Sequence, residues 1–191
     1  MKTEFEVKIC QIDPTSIVKT LQSLKAKRTQ PKTLFKRLIF KHPTNPNNAY
    51  IRVRDEWSKI TCTSKVVDRS KGIDSVQEVE FEVSDFDACV SLLMSIGLSQ
   101  KAYQETYREI WYINMVQITI DERPWLKPFI EIEWPDQQSV EDVVGLLGYK
   151  RNQVVFWAVD EIYYQELGVP HQVINNTPSI TFDQPPQMYQ G

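Results

Sequence analysis

Histidine and cysteine are scarce in this chain, whose 191 residues include two of the first and three of the second. Cys10, Cys62 and Cys89 are odd in number, widely spaced and form no C-x-x-C pair, so neither a disulfide framework nor a zinc site is indicated. They read as small buried thiols. His42 precedes a proline in a loop and His171 lies towards the C-terminus, and neither neighbours a plausible serine or cysteine nucleophile, which argues against a catalytic triad. Long apolar runs are also missing. No segment approaches the length of a membrane span, and Met1-Lys2-Thr3-Glu4 lacks the apolar stretch of a signal peptide, so a cytoplasmic protein with no membrane partner is expected. A net charge of −3 lacks the basic excess of a general nucleic-acid surface. There are no internal repeats and no low-complexity tract.

What is present is a 41% hydrophobic, 25% charged composition, that of one soluble globular domain with a real core. Its most informative pattern is alternation. Glu4, Glu6 and Lys8 share one face of a strand, with Phe5, Val7 and Ile9 opposite. The same alternation recurs on later segments. Arg52 and Arg54 oppose Ile51 and Val53; Thr61, Thr63 and Lys65 oppose Ile60 and Cys62; Glu78, Glu80 and Glu82 oppose Val79, Phe81 and Val83. Further on, Gln117, Thr119 and Asp121 oppose Ile118 and Ile120, and Glu131 and Glu133 oppose Ile130, Ile132 and Trp134.

The charges on any one strand mostly share a sign, and like charges so spaced repel. Carboxylate strands are most easily kept if cations neutralise them, and basic strands ask for a polyanion. A closed antiparallel barrel with polar side chains inward meets both demands. Divalent metal on the acids and phosphate on the bases would fill its lumen.

These residues resemble the CYTH domain, the triphosphate tunnel metalloenzymes that include class IV adenylate cyclases, thiamine triphosphatases and inorganic triphosphatases. The resemblance is carried by Glu4-Phe-Glu-Val-Lys8, Ile51-Arg-Val-Arg54, Ile60-Thr-Cys-Thr-Ser-Lys65, Glu78-Val-Glu80, Arg108, Ile120-Asp121 and Phe129-Ile-Glu-Ile-Glu133, in the family's order. It implies an α+β fold, an eight-stranded antiparallel β-barrel with helices packed outside, over residues 1–168; beyond Gly168, Pro170, Pro178, Pro185 and Pro186 leave a mostly irregular tail over 169–191. It further implies that Glu4, Glu6, Asp121, Glu131 and Glu133 hold Mg²⁺ or Mn²⁺, with Glu78 and Glu80 assisting, since hard cations prefer carboxylate oxygen. Lys8, Arg52, Arg54, Lys65 and Arg108 would grip the phosphates. The family has a lysine two residues before the arginine of the sixth strand; this chain has Thr106, and Lys101 lies on the opposite parity.

The activity so implied is metal-dependent hydrolysis of an inorganic, thiamine or nucleoside triphosphate, with Lys8 orienting or deprotonating the water. The alternatives are a class IV adenylate cyclase, forming cyclic AMP and pyrophosphate from ATP, and a non-catalytic nucleotide or triphosphate binder. Retention of all the acids argues against the last. The partner is a small triphosphate-containing substrate, and the chain would act as a monomer or homodimer.

Helices are expected where a barrel needs outer cover: one capped by Asp13-Pro14, one starting at Ser84 or Asp85 and closed by Gly97, one over 139–147, and one over 153–167 stopped by Gly168. Residues 41–48 form a turn-rich loop, and residues 179–182 could add a short strand. Trp57, Trp111, Trp125 and Trp134 read as core or rim residues, and Phe156, Trp157, Tyr163 and Tyr164 as packing.

Overall fold

The computed structural model describes residues 2–67, 76–134 and 136–184; the side chains of residues 2–4, 67 and 76 lie outside the described set. The chain runs β1 (Lys2–Ile9), α1 (Pro14–Ser23), β2 (Lys27–Lys41), β3 (Ala49–Asp55), β4 (Ile60–Val67), β5 (Val76–Val83), α2 (Phe86–Ser95), β6 (Gln100–Ile113), β7 (Val116–Glu122), β8 (Phe129–Trp134), α3 (Gln137–Leu146), α4 (Val159–Leu167), α5 (His171–Asn176) and β9 (Ser179–Ile180). The hydrogen-bonded order is β2-β3-β4-β5-β1-β8-β7-β6, and β2 pairs again with β6, so eight antiparallel strands return on themselves. The ninth, β9, adds in parallel beside β6. The α+β barrel with outer helices is therefore the architecture observed.

The apolar core lies outside the barrel, between its wall and the helices. Val7, Ile9, Trp111, Ile118, Ile120, Ile130 and Ile132 pack against Ile17 and Leu21 of α1 and Val140, Val143 and Val144 of α3. Phe40, Val53 and Cys62 pack against Phe86, Val90 and Leu93 of α2. Each of these three helices is opened by an aspartate, Asp13, Asp85 or Asp136, that accepts hydrogen bonds from first-turn amides. Because burial of apolar surface is met on the outer face, side chains on the inner face are free to be charged. Cover is incomplete on β5, where Val83 packs beneath α2 while Val79 and Phe81 stay exposed.

The wall has a seam. Among the described residues, β1 pairs with β5 over Lys2–Glu4 and not along the rest of its length. The backbone of Lys8 is met there by Val155, with Lys8 N–H donating to the Val155 carbonyl at 2.8 Å and Val155 N–H returning at 2.9 Å. This is why the helix expected over 153–167 begins only at Val159: the preceding segment is extended to close the seam, after a 3₁₀ turn at Arg151–Gln153. Of the segment 169–191, residues 171–176 are helical and Ser179–Ile180 pair with β6; residues 185–191 lie outside the described residues. Ile174 and Ile180 join Leu126, Phe129, Ile162 and Tyr163 in a separate cluster beneath α4 and α5. Trp111 is core and Trp134 packs beside it, Trp125 stacks edge-on to Tyr163, and Trp57 stands exposed in the β3–β4 turn.

Leu21 is fully enclosed between α1 and the wall. Leu21→Ala should lower the unfolding free energy by about 2–5 kcal/mol, read from the urea midpoint at unchanged slope. A loss under about 1 kcal/mol would mean that α1 does not seal the barrel.

Candidate functional site

The strands enclose one large cavity, about 1650 Å³, lined on one side by Arg37, Arg52, Arg54, Lys65 and Arg108 and on the other by Glu6, Lys8, Glu131 and Glu133. The alternation places them there. Register pairs Arg52 with Thr63 and Thr63 with Glu80, Lys65 with Glu78, Lys8 with Glu131, and Glu6 with Glu133, so lumen-facing residues sit level across neighbouring strands.

Most of these charges neutralise one another. Arg108 makes a two-pronged pair with the fully buried Asp121, at 2.7 and 2.6 Å, and reaches Glu131 at 3.4 Å. Lys8 bonds Glu6 and lies 3.1 Å from Glu131. Arg54 pairs with Glu56 at 2.5 Å, Arg52 with Glu80 at 3.3 Å, and Lys65 with Glu6 and Glu78, each at 3.8 Å. Burial alone would push Lys8 and Lys65 towards neutrality, but the facing carboxylates more than offset it and hold both firmly protonated. Protonated, Lys8 is a hydrogen-bond donor and carries no free lone pair for a base.

Glu6, Glu131 and Glu133 bring one carboxylate oxygen each within 4.8 Å of the others. Their titration is split. Burial raises Glu131, but Lys8 and Arg108 outweigh it and hold that carboxyl well below the usual range. Burial, with Glu131 and Glu6 beside it, pushes Glu133 up to about 7. An all-oxygen donor set carrying more negative charge than its surroundings satisfy is what a hard divalent cation fits. The buried hydroxyl of Thr119, level with Glu131, also has no partner among the described residues. Among the expected metal residues, then, the structure brings together Glu6, Glu131 and Glu133. Asp121 is engaged with Arg108, and Glu78 and Glu80 lie on the basic wall; the side chain of Glu4 is outside the described residues.

Among the charged residues of the lumen that escape the alternation pattern are Glu56, Arg123 and Arg37. Glu56 follows the end of β3 and is buried, accepting from Arg54 and from the Thr61 hydroxyl. Arg123 lies just past the end of β7, its guanidinium over the Phe129 ring. Arg37 is on β2, where its same-face neighbours are Phe35 and Ile39, so the inner face there reads as apolar. Thr106 does face inward: it is buried, and its hydroxyl accepts from Arg37 at 2.9 Å. Lys101 lies where the β2–β6 register slips, between Gln100 and Ala102, and it too lines the cavity.

The CYTH domain family model matches residues 2–148. The chain belongs to the CYTH family. Solved structures agree on the fold of this CYTH chain. A conserved hypothetical protein from Pyrococcus furiosus is 21% identical, with a TM-score of 0.68 over 84% of this chain and 99% of its own. A candidate adenylate cyclase from Vibrio parahaemolyticus superposes with a TM-score of 0.70 at 12% identity, over 84% and 97% of the two chains. An adenylyl cyclase candidate from Hippeastrum, described as having a dominant triphosphatase activity, is 14% identical, with a TM-score of 0.55 over 91% and 100%. No match is found among curated proteins.

The raised Glu133 carboxyl gives a signed prediction for the metal-free protein. A folded-state value above the unfolded one stabilises fully below the unfolded value of about 4.5, and that stabilisation is lost as pH rises through about 7. Scanned between about pH 5 and pH 8 with chelator present, Glu133→Gln should lose less stability with rising pH than the parent. Parallel curves would mean that Glu133 carries no such strain.

Proposed function

We propose that this protein is a divalent-metal-dependent triphosphatase that binds its substrate inside the barrel. One observation carries the reading: a three-carboxylate cluster and a set of buried arginines and lysines face the same cavity. A cation held by Glu6, Glu131 and Glu133, Mg²⁺ or Mn²⁺, would offset the charge that builds on phosphoryl oxygens. Arg52, Arg54 and Arg108 offer forked donors to the phosphate chain, and Lys65 a point charge. Lys8, protonated between Glu6 and Glu131, positions the attacking water rather than deprotonating it. Lys8, Arg52 and Arg108 are largely buried in the wall, so their attraction for an anion is screened less than at an open surface.

Hydrolysis needs only these parts and a water molecule. Cyclisation of ATP would need, in addition, a seat that turns the ribose hydroxyl towards the α-phosphorus. Incubation with Mg²⁺ or Mn²⁺ and, separately, tripolyphosphate, thiamine triphosphate and ATP separates the readings. Orthophosphate is expected from at least one of them. Cyclic AMP with pyrophosphate would replace this reading by the cyclase, and binding without turnover would leave a binder.

For the substrate that turns over, Arg52→Ala and Arg54→Ala should each lower kcat/KM by roughly 10- to 150-fold, the kinetic equivalent of about 1.5–3 kcal/mol of charge-assisted hydrogen bonding. Arg→Lys should restore part of it, because the charge returns without the fork. Unaltered kinetics in both alanine variants would remove the basic wall from the binding site.

A further inference from the structure

Two of the three cysteines meet across the boundary between the wall and a helix. Cys62 lies on β4 between Thr61 and Thr63, and because those two face the lumen it points outward, into the cluster formed with Phe40 and Val53. Cys89 lies on α2, in the stripe Phe86, Cys89, Val90 and Leu93 that seats the helix on this cluster. The two thiols interact with each other. Cys62 is 6% exposed and Cys89 is half-buried. Burial, with Cys89 beside it, pushes the Cys62 thiol up to about 11, so it rests as a thiol at neutral pH. Cys10 packs elsewhere, in the cluster beneath α4 and α5.

Of the three helices on this wall, α2 has the least to hold it. α1 buries Ile17 and Leu21, and α3 buries Val140, Val143 and Val144, whereas no residue of α2 is buried and its Leu92 and Met94 stand open to solvent. We infer that Cys62 and Cys89 are a redox site: an oxidant of the peroxide class joins them in a disulfide that ties α2 to β4. The half-buried Cys89 reacts first. Its sulfur attacks one peroxide oxygen, the O–O bond breaks, and a sulfenic acid and one water result. The Cys62 sulfur then attacks the Cys89 sulfur, the S–O bond breaks, and the hydroxyl leaves with the thiol proton as a second water. Two electrons pass from the sulfur pair to the peroxide, and a dithiol reductant reverses the change. The bond needs the two Cα atoms within about 7 Å, and its shallow seating leaves α2 freer than α1 or α3 to make that approach. The tie also fixes the backbone beneath the basic wall, because Thr61 donates to Glu56, and Thr63 donates to Glu80 and accepts from Arg52.

The test treats the full chain with hydrogen peroxide, without ligand, and reads peptide masses, melting temperature and amide hydrogen exchange. The Cys62 and Cys89 peptides should appear linked, about 2 Da lighter than their sum. The linked protein should melt about 5–15 °C higher, with slower exchange over Phe86–Ser95 of α2. Dithiothreitol should return all three readings to their starting values. Cys89→Ser should abolish the melting shift, and Cys10→Ser should leave it in place. A link that involves Cys10 or joins two chains, oxidation of Cys89 to the sulfinic acid with Cys62 still free, or a linked protein that melts no higher would each overturn the assignment. Should Cys89→Ser not fold, the linked peptides and the melting shift of the parent decide the matter between them.

Discussion

The constraint on which this structure depends is neutrality inside a closed wall. The lumen encloses arginines, lysines and carboxylates out of bulk water, where each unpaired charge is expensive. The ligand-free protein meets that constraint by pairing: Arg108 with Asp121, Arg54 with Glu56, Lys8 with Glu6 and Glu131, Lys65 with Glu6 and Glu78. What pairing leaves over defines the chemistry. On the acidic side the excess falls on Glu133, held near neutrality by burial and its fellow acids; on the basic side it falls on Arg37. A cation answers the first excess and an anion the second, so a metal–phosphate complex completes both at once.

Such a lumen is possible because the fold derives its cohesion elsewhere. The packed residues Ile118, Ile130, Ile132 and Leu21 lie between wall and helices, so the inner face carries little of the apolar burial on which folding depends. Removing a lumen charge should therefore act on binding first and on stability second, with the sign of the stability change set by whether the charge was paired. Arg108 and Asp121 are a matched pair whose disruption strands a buried charge, whereas Arg37 bonds only the neutral hydroxyl of Thr106 among the described residues.

Much of this was legible in the sequence because strand alternation is a strict geometric rule. Arg52, Arg54, Lys65, Lys8, Glu131 and Glu133 fall inward as their parity requires. Pairing partners were not legible: parity places Asp121 inside but does not reveal that Arg108 grips it with two bonds. Arg37 was hidden because Phe35 and Ile39 share its face, and Glu56 and Arg123 because they lie just past strand ends, where alternation no longer applies. The late start of α4 has a similar origin. Val154 and Val155 are tolerated in a helix, but the open backbone of Lys8 draws them into an extended bridge, a tertiary demand that local propensity does not encode.

The central claim is that metal and phosphate chain meet inside this barrel. It is tested most directly by a crystal structure of the protein soaked with Mn²⁺ and tripolyphosphate, with data collected to reveal manganese by its anomalous signal. The account predicts a manganese peak among the carboxylates of Glu6, Glu131 and Glu133, and a phosphate chain running from that ion to the guanidiniums of Arg52, Arg54 and Arg108. Manganese or phosphate bound only on the outer surface, with the lumen ion pairs intact, would contradict it.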